Sequence, residues 1–386
     1  MMLSFVKHVT REALLSVQVV FQVPLASFAV KITGGMSRAL GVLSVVAMVL
    51  AGPVSAQASP IQVYGVWHCG SDQCGWGTVR NLADFDSKNH WLIDRGDGFP
   101  SVNLVVLSFV NPLKLLKLTK DSQTMDGIPV GMTPEIVAYF VHRKIRVMLS
   151  IGGLTYIKDW DKALATSPKQ LGVNAAQAAQ RLGVGMEIDY ENDRSPNLRG
   201  LQEFITAYRS ILSYDATGTN PAARLTIDLA LDDEYLMPLT QYAGAHWLTT
   251  THPFLDYANA MVPFKQLSAS ALEKGWEEHI GGKSPIPPLA PAKFTGSLYI
   301  ATPGEVSPEC SRFSDSLENA TGSFVLSVEP RGSGSTNGML GYMFWAAECS
   351  GSKTVCTTPP NTCEGGVGLG AQVYGIPLPM PSLRQD

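Results

Sequence analysis

Charge is scarce in this 386-residue chain: charged side chains make up 16% of it, and 29 Lys and Arg against 33 Asp and Glu leave a formal net charge of −4. No block or stripe of basic residues runs through it, so the electrostatic footprint of a nucleic-acid binder is missing. Cysteine is also sparse. The six are Cys69, Cys74, Cys310, Cys349, Cys356 and Cys363, with no Cys-x-x-Cys pair among them, and this argues against a zinc site or any other metal. The Gly/Ser-rich stretch 331–338 has no strand-to-helix junction with a following lysine, which removes a phosphate-binding loop. His246 and His252 have no recognisable nucleophile beside them, so a serine-hydrolase triad is not expected.

What is present is organised in blocks. Arg38 precedes the apolar run 39–52, and Val54-Ser55-Ala56 or Ala56-Gln57-Ala58 suits a small-residue cleavage site, so residues 36–58 read as a signal peptide. Residues 1–35 form an extension to which no role is assigned. Secretion is the expectation, with no membrane attachment after cleavage. The further apolar stretch Leu14 to Val30 leaves a retained anchor over 14–52 as the alternative. Loss of residues 1–58 takes away four basic residues and one acid, and the formal charge of the remainder falls to about −7. All six cysteines lie beyond that point, an even number that suits disulfides in a secreted chain. Residues 350–386 are rich in Pro and Gly and read as an irregular tail pinned by cysteines.

Between them, residues 59–349 alternate between strand-like and helix-like patterns. Strands are expected at 61–67, 102–110, 145–150, 184–191, 224–231, 254–262, 294–301 and 340–346. Helices are expected within 77–91, from Thr133-Pro134-Glu135 to Lys144, over 168–181, after Ser195-Pro196, and over 268–280. The clearest amphipathic period is Leu198, Leu201, Phe204, Ile205, Tyr208, Ile211. Eight strands interleaved with helices predict an α/β fold, a single-domain (β/α)8 TIM barrel whose active site sits at the carboxyl ends of its strands. A monomer is expected.

One stretch concentrates unusual chemistry. In Val184-Gly185-Met186-Glu187-Ile188-Asp189-Tyr190-Glu191 the acids occupy alternate positions, so on a strand Glu187, Asp189 and Glu191 share a face while Ile188 and Tyr190 take the other. Three like charges that close cannot all ionise cheaply. At least one should keep its proton near neutral pH, which is the state a general acid needs.

These residues, with Val147-Met148-Leu149-Ser150-Ile151-Gly152-Gly153 upstream, resemble two motifs of the family 18 glycoside hydrolases, which include chitinases and endo-β-N-acetylglucosaminidases. The family's fourth strand carries Asp-x-x-Asp-x-Asp-x-Glu, matched here by Asp189 and Glu191, and its third carries Ser-x-Gly-Gly. Leu255 to Met261 is similar to its sixth strand and Gly341 to Trp345 to its eighth. The resemblance implies that Glu191 is the general acid and base, that Asp189 steadies the substrate's acetamido group, and that Glu187 shares a proton with Asp189. It implies a sugar floor at Trp345, a substrate contact at Met261 and no cofactor, while Trp67 and Trp76 in or just after the first strand and Phe109 at the end of the second are candidates to line further sugar subsites. The implied partner is an N-acetylglucosamine-containing polysaccharide or glycan, chitin first, cleaved at β-1,4 bonds with retention by attack of the substrate's own acetamido oxygen.

Three positions depart from the family pattern. Val184 stands where its first acid would be, Glu187 replaces an aspartate, and Val262-Pro263-Phe264 follows Met261 where a tyrosine is usual. Loss of a donor to developing charge costs on the order of 10²-fold in rate. A catalytically weak or silent chitin-binding or lectin-like protein on the same barrel is therefore the alternative.

Overall fold

The computed structural model describes residues 62–69, 81–94, 100, 102–230, 235–261, 269–301, 338–345 and 361–362. Eight strands follow in chain order: β1 (Val63–Cys69), β2 (Leu104–Val110), β3 (Arg146–Gly152), β4 (Gly185–Asp189), β5 (Leu225–Leu229), β6 (Ala258–Ala260), β7 (Phe294–Ala301) and β8 (Gly341–Trp345). Each pairs in parallel with the next, and β8 returns to β1 with Val63 opposite Gly341, so the sheet closes on itself. The architecture is the (β/α)8 barrel that the alternation predicts.

Strand periodicity divides the apolar residues into two cores. Val63, Trp67, Leu104, Val106, Met148, Tyr257, Leu340 and Met343 cluster together, with Trp345 packed on them. Their strand neighbours Tyr64, Val66, Val105, Leu107, Val147 and Leu149 join the other, larger cluster with helix residues. Alternate positions on β1, β2 and β3 thus face the lumen and the helical layer. Parallel strands buried on both faces read as near-continuous apolar runs, which is why a polar residue inside one is informative.

The helices among the described residues are α1 (Leu82–Ile93), α2 (Pro134–Val141), α3 (Ile157–Thr166), α4 (Pro168–Leu182), α5 (Leu198–Ile211), α6 (Met237–His246) and α7 (Ala269–Gly281), besides a short turn over Pro112–Leu116. Thr133 caps α2 through Ile136 N, with Pro134 at the first helical position, as the sequence predicts. The helix predicted after Ser195-Pro196 begins later, because Asn197 supplies the cap by accepting from Gly200 N. Its buried face is Leu201, Phe204, Ile205 and Tyr208. Two helices, not one, join β3 to β4: α3 runs up to Thr166 and α4 restarts at Pro168. Proline has no N–H to continue the helix before it and is tolerated in a first turn.

Strand β6 is three residues long, much shorter than predicted, and α6 and a hairpin of Thr124–Met125 with Ile128–Pro129 were not foreseen. No described helix is long and apolar enough to cross a membrane. The signal segment, Trp76, Val262-Pro263-Phe264 and the side chains of all six cysteines lie outside the described residues.

Candidate active site

The third and fourth strands fit together through two glycines. Gly152 has φ +125°, and a Cβ there would meet the Asp189 carbonyl oxygen at 1.8 Å and the Trp160 Nε1 at 2.3 Å. Gly153, at φ +87°, lies under the Phe109 ring, whose Cδ1 and Cε1 would stand 3.0 Å from an added Cβ. Only glycine takes such backbone at so close an approach. The Asp189 carbonyl accepts from Gly153 N at 3.0 Å and from Trp160 Nε1 at 3.1 Å. The end of β4 is thereby fixed, and its acids with it.

Glu187 is fully buried. Its Oε1 accepts from Trp67 Nε1 of β1 at 2.8 Å and its Oε2 from Asn259 Nδ2 of β6 at 2.6 Å. Donors from strands on either side of the ring can meet one carboxylate only in the lumen, so the acidic face of β4 points inward. The other end of the Asn259 amide, Oδ1, accepts from Thr295 Oγ1 at 2.7 Å. Burial pushes Glu187 up to about 7, with the Trp67 and Asn259 bonds acting against that rise.

Asp189, 5% exposed, has a buried Oδ1 with no hydrogen-bond partner. Its carboxyl is held well above the ordinary range by burial first, then by the Glu191 and Glu187 charges. Glu191 lies two residues beyond Asp189, just past the strand end, and is 4% exposed. Its Oε2 accepts from the Tyr235 hydroxyl at 2.6 Å. Burial raises its pKa, while the Tyr235 hydroxyl and the Leu154 N–H oppose the rise. Two acids that disfavour each other's ionisation at a barrel's carboxyl end can hold and release a proton there.

Tyr190 takes the other face. Its hydroxyl donates to Asp161 at 2.5 Å and accepts from Asn197 N at 2.9 Å, tying the β4 exit to α3 and to the cap of α5. Val184 is buried in the cluster between barrel and helices, on the face opposite Glu187.

The expected sugar contacts differ in their surroundings. Trp345 and Phe109 are both half-buried, with ring centroids 5.5 Å apart and planes 38° from parallel, which makes a partly open aromatic corner. Met261, half-buried just past β6, is held by its backbone N to Leu229 O at 2.8 Å and by Ser297 Oγ to its carbonyl at 2.9 Å. Trp67 is 5% exposed and presents little face to a ligand; its indole is the donor that fixes Glu187.

Three further residues enter the site from elements that sequence reasoning did not connect with it. They are Asn259 on β6, Tyr235 from the β5–α6 connection, and Asp228 on β5, which is 2% exposed. Asp228 and Asn259 did carry a signal, as lone polar residues inside buried apolar strands. Among the described residues no group of three or more His, Cys, Asp or Glu is placed to hold a metal ion.

No family model and no curated protein matches the sequence. Solved structures similar to the chain include a GH18 chitinase from Pseudoalteromonas aurantia, with 14% identity, a TM-score of 0.46, and coverage of 73% of this chain and 93% of that one. A family GH18 chitinase from Cycas revoluta in complex with (GlcNAc)3 is 16% identical, with a TM-score of 0.44 over 73% and 94%. A chitinase from Aspergillus fumigatus is 14% identical, with a TM-score of 0.43 over 75% and 94%.

Proposed function

We propose that the chain is a family-18-like glycoside hydrolase that cleaves β-1,4 bonds in N-acetylglucosamine polymers, chitin being the leading substrate. The observation that carries this reading is the state of the β4 acids. Glu191 and Asp189 stand at the barrel's carboxyl end, nearly buried, each disfavouring the other's charge. A carboxyl that retains its proton near neutral pH can act as an acid there.

In the first step Glu191 gives its proton to the glycosidic oxygen. The bond from that oxygen to the anomeric carbon breaks, and the substrate's acetamido oxygen attacks the anomeric carbon. Asp189 accepts the acetamido N–H and stabilises the positive charge of the oxazolinium-like intermediate. The buried Oδ1 of Asp189 has no protein partner, so the acid is not already committed elsewhere. In the second step Glu191, now a carboxylate, takes a proton from water, whose oxygen opens the ring at the anomeric carbon. Two inversions give net retention. Trp345, with Phe109 against it, offers an apolar ring face to the sugar.

The Tyr235 hydroxyl at 2.6 Å from Glu191 steadies the carboxylate left after proton donation. It arrives from the connection after β5, whereas the resemblance implies a hydroxyl after Met261. The reading places the protein outside the cytoplasm on the strength of Arg38 and the apolar run behind it.

The test is hydrolysis of a chromogenic chitobioside beside the matching cellobioside, with the anomeric form of the first product followed by NMR. Cleavage of the chitobioside alone, with retained configuration, is expected. Equal cleavage of both, or inversion, contradicts the mechanism. Binding of chitooligosaccharides without turnover, lost in Trp345→Ala, would instead establish a glycan-binding protein, a reading favoured by the Val262 that follows Met261.

A further inference from the structure

Asp228 is a lumen acid to which the mechanism above gives no task. It lies on the strand beside β4, in a register that sets Glu187 opposite Thr226 and Ile188 opposite Ile227. One step further along, Asp189 and Asp228 are neighbours on the inner face. On its other side Asp228 stands opposite Asn259. The residue is 2% exposed, and its Oδ1 is buried without a hydrogen-bond partner. Asn259 in turn donates through Nδ2 to Glu187 Oε2 at 2.6 Å, so one amide lies beside both acids.

Carboxylates grouped in a dry lumen cannot all be charged, so one of them must keep a proton. Glu187 already receives N–H bonds from Trp67 and Asn259, and both favour its charged form. We propose that Asp228 is a positioning residue for the reaction: it holds one proton and donates it to Glu187, so that the pair bears a single negative charge beneath Asp189.

This inference rests on the hydrolase reading for its purpose, though not for its geometry. The groups facing Asp228 are Glu187 and Asp189 from β4 and Asn259 from β6, and burial with the Glu187 and Asp189 charges holds its carboxyl well above the ordinary range. Loss of the proton would place a second charge under Asp189. With Glu187, Asp228 and Asp189 all charged in one dry layer, repulsion would push the Asp189 carboxylate out of its place at the acetamido N–H. The alkaline limb of the pH–rate profile thus reports this pair together with Glu191, which must also keep its proton to act as the acid.

The test compares Asp228→Asn and Asp228→Ala with wild type. Asparagine keeps an N–H toward Glu187 and cannot titrate, so the alkaline limb should move to higher pH, and kcat/KM at neutral pH should fall by less than in the alanine variant. Alanine removes the donor, and activity should fall by about tenfold or more. Carboxyl ¹³C NMR of aspartate-labelled protein reads the proton without turnover. One aspartate resonance should remain at its protonated position through neutral pH in wild type and be absent from Asp228→Asn. If that resonance is found and the protein hydrolyses nothing, the proton is placed and the hydrolase reading fails. If every aspartate titrates in the ordinary range, or if Asp228→Asn leaves the alkaline limb unmoved, the proton assignment is overturned.

Discussion

Glu187→Gln exchanges a buried acid for its closest neutral analogue, and its effect on stability should depend on pH in one direction. In the folded protein burial lifts Glu187 from 4.5 to about 7, so the native state binds this proton more tightly than the unfolded chain does. The resulting stabilisation is fully present below the unfolded value and is lost as pH rises through about 7. A shift of that size corresponds to a ceiling of roughly 3 kcal/mol. Glutamine has no proton to gain or lose, and its N–H₂ cannot accept from whichever of Trp67 and Asn259 it faces. The variant is therefore less stable than wild type, and the gap is widest in acid.

Two other groups oppose this trend in the raw curves. His68 and His279 are buried, and burial lowers them to about 4 and about 3. Each makes the protein less stable as pH falls through the ordinary histidine value. Both are present in wild type and variant, so they cancel in the difference. Removal of the Glu187 charge also relieves Asp189 and Asp228, which narrows the gap further at high pH. The assay is urea unfolding of both proteins from about pH 4.5 to about pH 8. The gap should shrink by about 3 kcal/mol across that window. A constant gap, or one that grows with pH, refutes the reasoning.

Tyr235→Phe removes the hydroxyl that opposes the rise of Glu191, so the pKa assigned to Glu191 in the kcat profile should move to higher pH, with kcat lowered by about tenfold; an unmoved profile contradicts that contact. Gly152→Ala forces a side chain into backbone at φ +125° and against the Asp189 carbonyl. It should lower stability by about 3 kcal/mol or more in a thermal melt, and a variant that melts with wild type shows that β4 does not depend on this approach.

The barrel was legible because alternation of strand and helix patterns is local, and so are the caps at Thr133 and the proline at 134. The acids of β4 were legible because period-two spacing assigns them one face. The association of Asp228, Asn259 and Tyr235 with them was not, since Asn259 and Tyr235 meet Glu187 and Glu191 from 72 and 44 residues away in sequence, and Asp228 comes from the next strand. Closure of the barrel creates those contacts, and no local rule reports them. The place of Trp67 on β1 suggests a sugar contact, but the residue is buried and its indole donates to Glu187, which strand position alone does not report. The extra helix α3 was hidden by a short β3–β4 spacing that one helix seemed able to fill.

The most direct measurement is turnover of a chromogenic chitobioside by Glu191→Gln, with chitooligosaccharide affinity determined on the same sample. Loss of the proton donor should lower kcat by at least about 10²-fold while binding is kept. Turnover within a few-fold of wild type would contradict the assignment of Glu191 as the acid and, with it, the chemistry built on this strand.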